Sequence, residues 1–361
     1  MHLGLATLLD FYNAHRADDA LVLGTVIATE GSTYRKPGAM MLIAADGSHH
    51  GLISGGCLES DLAQHAKDVF KNGETRNVTY DLSAGDELVW GLGIGCDGVI
   101  QLMLQRLPGD QGFGFFEVLH DAWQARKDGV LGLVTSSTDP AHPAGSFALD
   151  CDSDFKAGHP ELIEQAHIPA ELHDRSRRFW RESVSTAQGG ADMLLVPVIP
   201  PTALLICGAG IDAVPVARLA VEMGWDCTIV DHRAGFANPD RFPKACEVCL
   251  LQPEDLSEKI DLGHKDAVVM MSHNLAHDRQ YLAQVVDAGL SYIGMLGPRA
   301  RRDRLLEEIG RCNGEDGLHV HGPTGLDIGA EMPTSIALSI IGEIHACLNQ
   351  RHGSHITPVG T

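Results

Sequence analysis

A chain of 361 residues is long enough for two domains, each with its own core. A hydrophobic share of 44% and a charged share of 21% are ordinary for a globular protein, and a net charge of −21 argues against nucleic acid or an anionic membrane surface as partner. The charge leaves a small anionic ligand open, provided cations gather locally. Nine cysteines, odd in number and scattered, do not read as a secreted disulfide framework. The opening MHLGLATLLDFYNAHRADD lacks the basic start and long apolar core of a signal peptide, and no run approaches a membrane span. The expected compartment is the cytoplasm.

The opening stretch has Leu5, Leu8, Leu9 and Tyr12 at amphipathic-helix spacing, and Ala20–Thr29 reads as an apolar strand. The glycine turn Gly31–Gly38 follows, carrying Ser32, Thr33, Tyr34 and the cations Arg35 and Lys36. Ala39–Ala45 is a second strand, Asp46-Gly47 a turn, and His50–Ser54 a returning strand. Gly55-Gly56-Cys57-Leu58-Glu59 then opens a helix with Leu58, Leu62, His65, Ala66 and Val69 on one stripe. Two glycines free the backbone before a helix N-terminus, whose dipole favours the Cys57 thiolate. A cationic, amide-rich loop beside such a thiol suits an anionic ligand with a soft centre; a buried structural cysteine after a tight turn fits the same residues.

Thr75–Leu82 alternates as a strand, Trp90–Gly98 is a second glycine-rich loop holding Cys96, and Val99–Leu104 is a further strand. A helix near Phe115–Arg126 and a strand at Val130–Ser136 follow. From Asp139 to Gly190 the chain is polar and interrupted by proline, with short helices and hairpin pieces and no assigned site. Met193–Pro201 is a strand ending in Pro200-Pro201, the best boundary in the chain. Residues 1–200 and 201–350 are expected as two domains, with 351–361 a flexible tail.

Beyond the boundary, strands at Ala203–Cys207, Asp226–Val230, Cys246–Leu251, Ala267–Met271 and Tyr292–Leu296 alternate with helices, the last at Thr334–Asn349. This pattern implies a doubly wound parallel sheet. Gly208-Ala209-Gly210-Ile211-Asp212-Ala213 follows the first strand as G-x-G-x-x-A, and Asp231 ends the second strand where an acid would bind a ribose 2′-hydroxyl. Between a strand and a helix this pattern implies a Rossmann fold; NAD(P) or another nucleotide in it is open, because Asp212 would repel a pyrophosphate. Cys246-Glu247-Val248-Cys249 sits on a strand and is not assigned a metal or redox role. His273 lies at the C-terminal edge of the sheet and could face a ligand or solvent. A third glycine-rich loop, His321–Glu331, gathers His321, Thr324, Asp327 and Glu331 before the last helix.

Seven ordered segments carry a resemblance. Gly31–Met41, Gly55–Glu59 and Gly93–Gly98 in the first half, and Gly208–Pro215, Ser272–Asp278, Tyr292–Gly297 and Pro323–Gly329 in the second, match the motifs of the XdhC/CoxI family. Tyr34 stands where the family has proline, Asp97 follows Cys96, and Ser272 replaces a threonine before His273. The chain thus resembles maturation factors of molybdenum hydroxylases such as xanthine dehydrogenase. The resemblance implies an N-terminal α/β domain with a mixed sheet and a C-terminal Rossmann-like domain. It implies binding of the molybdenum cofactor, its sulfuration with a cysteine desulfurase, and delivery to the apo-hydroxylase; a homodimer is a further partner to test.

Ser32, Arg35, Lys36, Gly55, Gly56, Cys57, Glu59 and Cys96 are the candidate cofactor contacts in the first half, and Gly208, Gly210, Asp231, His273, Asp327 and Glu331 in the second. Cys57 is the candidate contact to molybdenum; Cys96 is the weaker one, because Asp97 should raise its pKa. The chief rival is an NAD(P)-dependent oxidoreductase using the Rossmann half with His273 as acid or base. A purely structural scaffold for the hydroxylase leaves the two Gly-Cys loops unexplained.

Overall fold

The structure is a computed structural model that describes residues 2–56, 58–82, 98–169 and 178–355. Cys57 and Cys96 lie outside the described residues, and with them most of the second glycine-rich loop. The chain divides into two compact units, Met1–Pro200 and Pro201–Thr361.

The first unit holds two five-stranded sheets. One is built from β1 (Ala20–Gly31), β2 (Met40–Ile43), β3 (His49–Gly51), β4 (Arg76–Asp81) and β5 (Gly98–Pro108), in the order β3-β2-β1-β5-β4. The other is built from β6 (Gly129–Ser137), β7 (Phe147–Asp150), β8 (Lys156–Gly158), β9 (Trp180–Thr186) and β10 (Gly189–Val198), in the order β8-β7-β6-β10-β9. The mixed sheet expected here resolves into these two, and every pairing described in them is antiparallel. Strands joined by short turns pair antiparallel, whereas parallel pairing needs long crossovers.

Alternation along β1 separates its faces. Leu21 and Leu23 join a core with Met40, Leu42, the helix His2–Ala14 (Leu8, Leu9, Tyr12) and the helix Phe116–Gln124, and this core reaches Leu131 and Leu149 of the second sheet. Val22 and Val26 face the helix Glu59–Asn72 through Leu62, Ala66 and Val69. Gly73, at φ 75°, ends that helix in the left-handed conformation that glycine tolerates best. The outer face of the second sheet packs Val130, Val134 and Met193 against Leu162 and Ile163 of the short helix Pro160–Gln165.

The second unit is a parallel sheet of β11 (Ala203–Cys207), β12 (Asp226–Asp231), β13 (Glu247–Leu250), β14 (Ala267–Met270), β15 (Tyr292–Met295) and β16 (Val320–His321). Its order, β13-β12-β11-β14-β15-β16, is that of a dinucleotide-binding fold, with the order of the strands, all parallel, reversing between β11 and β14. Every residue of β11, β14 and β15 is buried, as a sheet covered on both faces requires. Helices Ala213–Glu222 and Pro333–Leu348 cover one face through Val216, Ala217, Ile340 and Ile344. Helices Leu275–Val285 and Arg299–Glu308 cover the other through Tyr281, Leu282, Leu305 and Leu306. Among the described residues no helix is long and apolar enough to cross a membrane.

Candidate functional site

The register of the first sheet gathers three loops at one end. Gly31, the last residue of β1, pairs with Gly98, the first of β5, and Asp81, the last of β4, pairs with Val99. β2 enters at Met40 opposite Thr25, and β3 leaves at Gly51 opposite Met41. The turn after β1, the Gly55-Gly56 segment after β3 and the two flanks of the loop joining β4 to β5 therefore share one sheet end. Contact is tight at the centre: a Cβ on Gly98 would stand 2.6 Å from the carbonyl oxygens of Glu30 and Ser32. Glycine is needed there for close backbone approach.

Within the first loop the Thr33 hydroxyl donates to the Arg35 carbonyl at 2.9 Å, and Lys36 Nζ donates to Thr33 Oγ1 at 3.3 Å. Ser32 and Lys36 are exposed and Arg35 is half-buried. In the second loop, among the described residues, nothing lies within 4 Å of where a Cβ on Gly55 or Gly56 would stand, and Gly56 has φ 104°.

Glu59 is the residue that shapes this loop. Its side chain is buried, Oε1 accepts from the N–H groups of Ile53 (3.0 Å) and Ser54 (2.8 Å), and Oε2 accepts from the Ser54 hydroxyl (2.6 Å) and the Leu58 N–H (3.1 Å). Burial alone would raise its pKa; hydrogen bonds from Ser54, from its own backbone N–H and from Ile53 outweigh that and hold it below the ordinary value. All these bonds run inward, so Glu59 positions the loop and has no described contact toward a ligand.

In the second unit the predicted residues fall at the C-terminal edge of the parallel sheet, where such folds bind ligands. Gly208, at φ 113°, passes so close to the neighbouring strand end that a Cβ would meet Met271 O and Ser272 Cα at 2.6 Å. Gly210 has room, its nearest neighbour being the His273 ring at 3.7 Å. His273 stands in the left-handed region at φ 57° and pairs through Nε2 with Asp212 Oδ2 at 3.0 Å. The pair joins the glycine loop to the end of β14 at the point where strand order reverses. It sets a carboxylate at the start of the helix Ala213–Glu222.

Asp231 is where the sequence places it, but its oxygens are engaged. Oδ2 accepts from Ala209 N–H at 2.8 Å and from Arg233 at 2.8 Å; Oδ1 accepts from the Arg233 N–H and Nε, both at 2.9 Å. Burial would push the carboxyl up, and these donors bring it down to about 2 instead. The Arg233 guanidinium also lies over the Phe236 ring, 3.8 Å from its centre. Arg233 and Phe236, unassigned from sequence, make the acid a closed structural pair.

The third glycine-rich loop divides. His321 and Thr324 enter a network with the buried Tyr292 and the half-buried Glu343. The Tyr292 hydroxyl lies 2.5 Å from both Thr324 Oγ1 and Glu343 Oε2, Gly325 N–H donates to Glu343 Oε2 at 2.7 Å, and His321 Nδ1 reaches Glu343 Oε1 at 3.1 Å. Burial, followed by the Glu343 charge, pushes the Tyr292 phenol far up. Asp327 and Glu331 are exposed and outside this network. In the sequence Glu343 is legible only as a lone acid among Ile340, Ile341 and Ile344. Among the described residues the C-x-x-C cysteines belong to no cluster of metal-ligating groups. A further grouping, Asp278 accepting from Ser272 Oγ at 2.5 Å and from Arg301 at 2.6 Å, locks the turn before the helix Leu275–Val285.

Residues 204–344 match the XdhC Rossmann domain, and residues 14–81 match the XdhC and CoxI family. The chain is 31% identical over 343 residues to a probable xanthine dehydrogenase subunit of Bacillus subtilis, covering 92% of this chain and 96% of that one. It is 25% identical to the molybdenum cofactor insertion chaperone PaoD of Escherichia coli, covering 93% of this chain and 86% of that one. A crystal structure described as a xanthine dehydrogenase of Bacillus halodurans superposes with a TM-score of 0.76, 29% identity and 98% coverage of both chains. With both units matched and the likeness running nearly end to end, the chain belongs to the XdhC and CoxI family.

Proposed function

We propose that this chain is a maturation factor that binds the molybdenum cofactor and hands it to a molybdenum hydroxylase of the xanthine dehydrogenase type. The observation that carries the proposal is that the turn after β1, the Gly55-Gly56 segment and the two flanks of the β4–β5 connection meet at one end of a sheet, in a chain whose relatives include a cofactor insertion chaperone. Among the described residues the space beside Gly55 and Gly56 is open, which leaves room for a ligand, and Arg35 and Lys36 offer cations to an anionic end. When bound, the cofactor supplies a soft metal held by sulfur and a phosphate. Arg35, Lys36 and Ser32 would hold the phosphate end, and Cys57 the metal end or a sulfur in transfer, with Cys96 as the second thiol. Glu59 holds the shape of the loop through its inward hydrogen bonds. Sulfuration with a cysteine desulfurase belongs to the same proposal.

NAD(P) fits the second unit less well. A ribose hydroxyl needs a free acceptor at Asp231, and Arg233 and Ala209 already occupy both its oxygens. A pyrophosphate at the glycine loop would meet the Asp212 carboxylate. The test is reconstitution. Apo-hydroxylase mixed with cofactor-loaded protein should gain activity, and free cofactor at the same concentration should give less. Equal activation by both, or turnover of NAD(P)H with a carbonyl substrate by this protein alone, would remove the maturation role.

A further inference from the structure

A separate cluster in the first unit has metal-ligand chemistry. His142 lies in the loop between β6 and β7, and His159 and Glu161 open the short helix Pro160–Gln165. Among the described residues they are the one group of three or more His, Cys, Asp or Glu whose ligand atoms lie within 4.8 Å of one another. His142 Nε2 and His159 Nδ1 each stand 3.3 Å from the same atom, Glu161 Oε1. Two ligands bound about 2.0 Å from a tetrahedral centre stand about 3.3 Å apart, so both edges already have the length zinc requires. The two imidazole rings meet edge to face, with centroids 4.7 Å apart.

The surroundings orient the ligands. Asp139 is 3% exposed, and its Oδ2 lies 2.9 Å from His142 Nδ1. Its Oδ1 accepts from Ala141 N–H at 2.8 Å, which fixes the carboxylate. A carboxylate on Nδ1 directs the His142 lone pair to Nε2, on the side of His159 and Glu161. This carboxylate–histidine arrangement accompanies zinc ligation and sets ring orientation. On the other segment, His159 N–H bonds to Phe147 O at 2.9 Å, holding the helix start against β7.

We propose that His142 Nε2, His159 Nδ1 and Glu161 Oε1 bind a divalent first-row cation, zinc before others, with Asp139 as the orienting carboxylate. Two imidazoles and one carboxylate are a borderline donor set that suits zinc and excludes calcium or magnesium as preferred guests. Three protein ligands leave a fourth tetrahedral position, which the half-exposed Glu161 leaves open to water or a small anion. The site is independent of the cofactor reading.

The test is titration of full-length protein with Zn2+ against a chromophoric chelator, repeated with Co2+ for its absorption spectrum. His159→Ala and Glu161→Gln are the informative variants, because both side chains are about half exposed and their loss should not unfold the protein. Each should weaken one zinc equivalent by about 100-fold, and Asp139→Asn by about tenfold. Cobalt should give tetrahedral d–d bands, lost in both variants, without thiolate charge transfer. Zinc affinity in His159→Ala and Glu161→Gln equal to wild type would overturn the site. So would a cobalt spectrum that shows thiolate ligation and survives both substitutions.

Discussion

Two buried carboxylates show what single residues do here. Glu59 receives four donors, and among the described residues it makes no outward contact. Glutamine cannot replace it, because one of its two ends is itself a donor and would face N–H or O–H groups. Glu59→Gln should therefore cost about 2–3 kcal/mol in urea unfolding at pH 7. The lowered pKa of Glu59 means that its contribution is present above its unfolded value and lost as pH falls through the folded one. The difference between wild type and variant should shrink below about pH 4. An undiminished difference there would show that packing, not charge, holds the loop. Asp231 follows the same sign. Its drop from 3.8 to about 2 corresponds to about 2 kcal/mol of stability, present above pH 3.8 and lost toward pH 2. Arg233→Ala should remove most of that acid dependence, as thermal melts across the acid range would read.

Neither role can be read from sequence in full. Glu59 is identifiable as a member of a Gly-Gly-Cys motif, but its inward bonds come from Ile53 and Ser54 folding back over it. The fingerprint spacing places Asp231 correctly; its closure by Arg233 depends on a side chain turning back two residues, which periodicity does not report.

At the scale of elements, alternation and turn chemistry are enough for most strands. Ala203–Cys207 has the predicted limits, and Asp46-Gly47 does join a hairpin, because these signals are local. β16 escapes because Val320–His321 has no apolar run of its own and is defined only by pairing with β15. The loop assembly in the first unit is likewise invisible, since it rests on register between strands far apart in sequence. The two fingerprint glycines make the contrast testable. Gly208→Ala places a methyl group 2.6 Å from backbone at φ 113° and should destabilise by about 3 kcal/mol. Gly210→Ala meets only the far edge of His273 and should change stability by less than about 1 kcal/mol. Chemical denaturation of both settles the comparison, and equal losses would mean that the tight approach at Gly208 is wrong.

For the whole molecule, the units Met1–Pro200 and Pro201–Thr361 each have cores on both sides of a sheet. A fragment spanning 201–350 should fold alone, with cooperative unfolding by circular dichroism. A featureless melt would show that it needs the first unit. The central claim is that the three-loop end of the first unit holds the molybdenum cofactor. The direct measurement is molybdenum and pterin content per chain after gel filtration, for wild type, the Arg35→Ala/Lys36→Ala double variant and Cys57→Ala. Cys312→Ser, an exposed thiol in the second unit, is the control. Wild type and control should retain the cofactor, and the two site variants should each lose at least about tenfold in affinity. Full retention by both site variants would place the cofactor elsewhere and contradict the account.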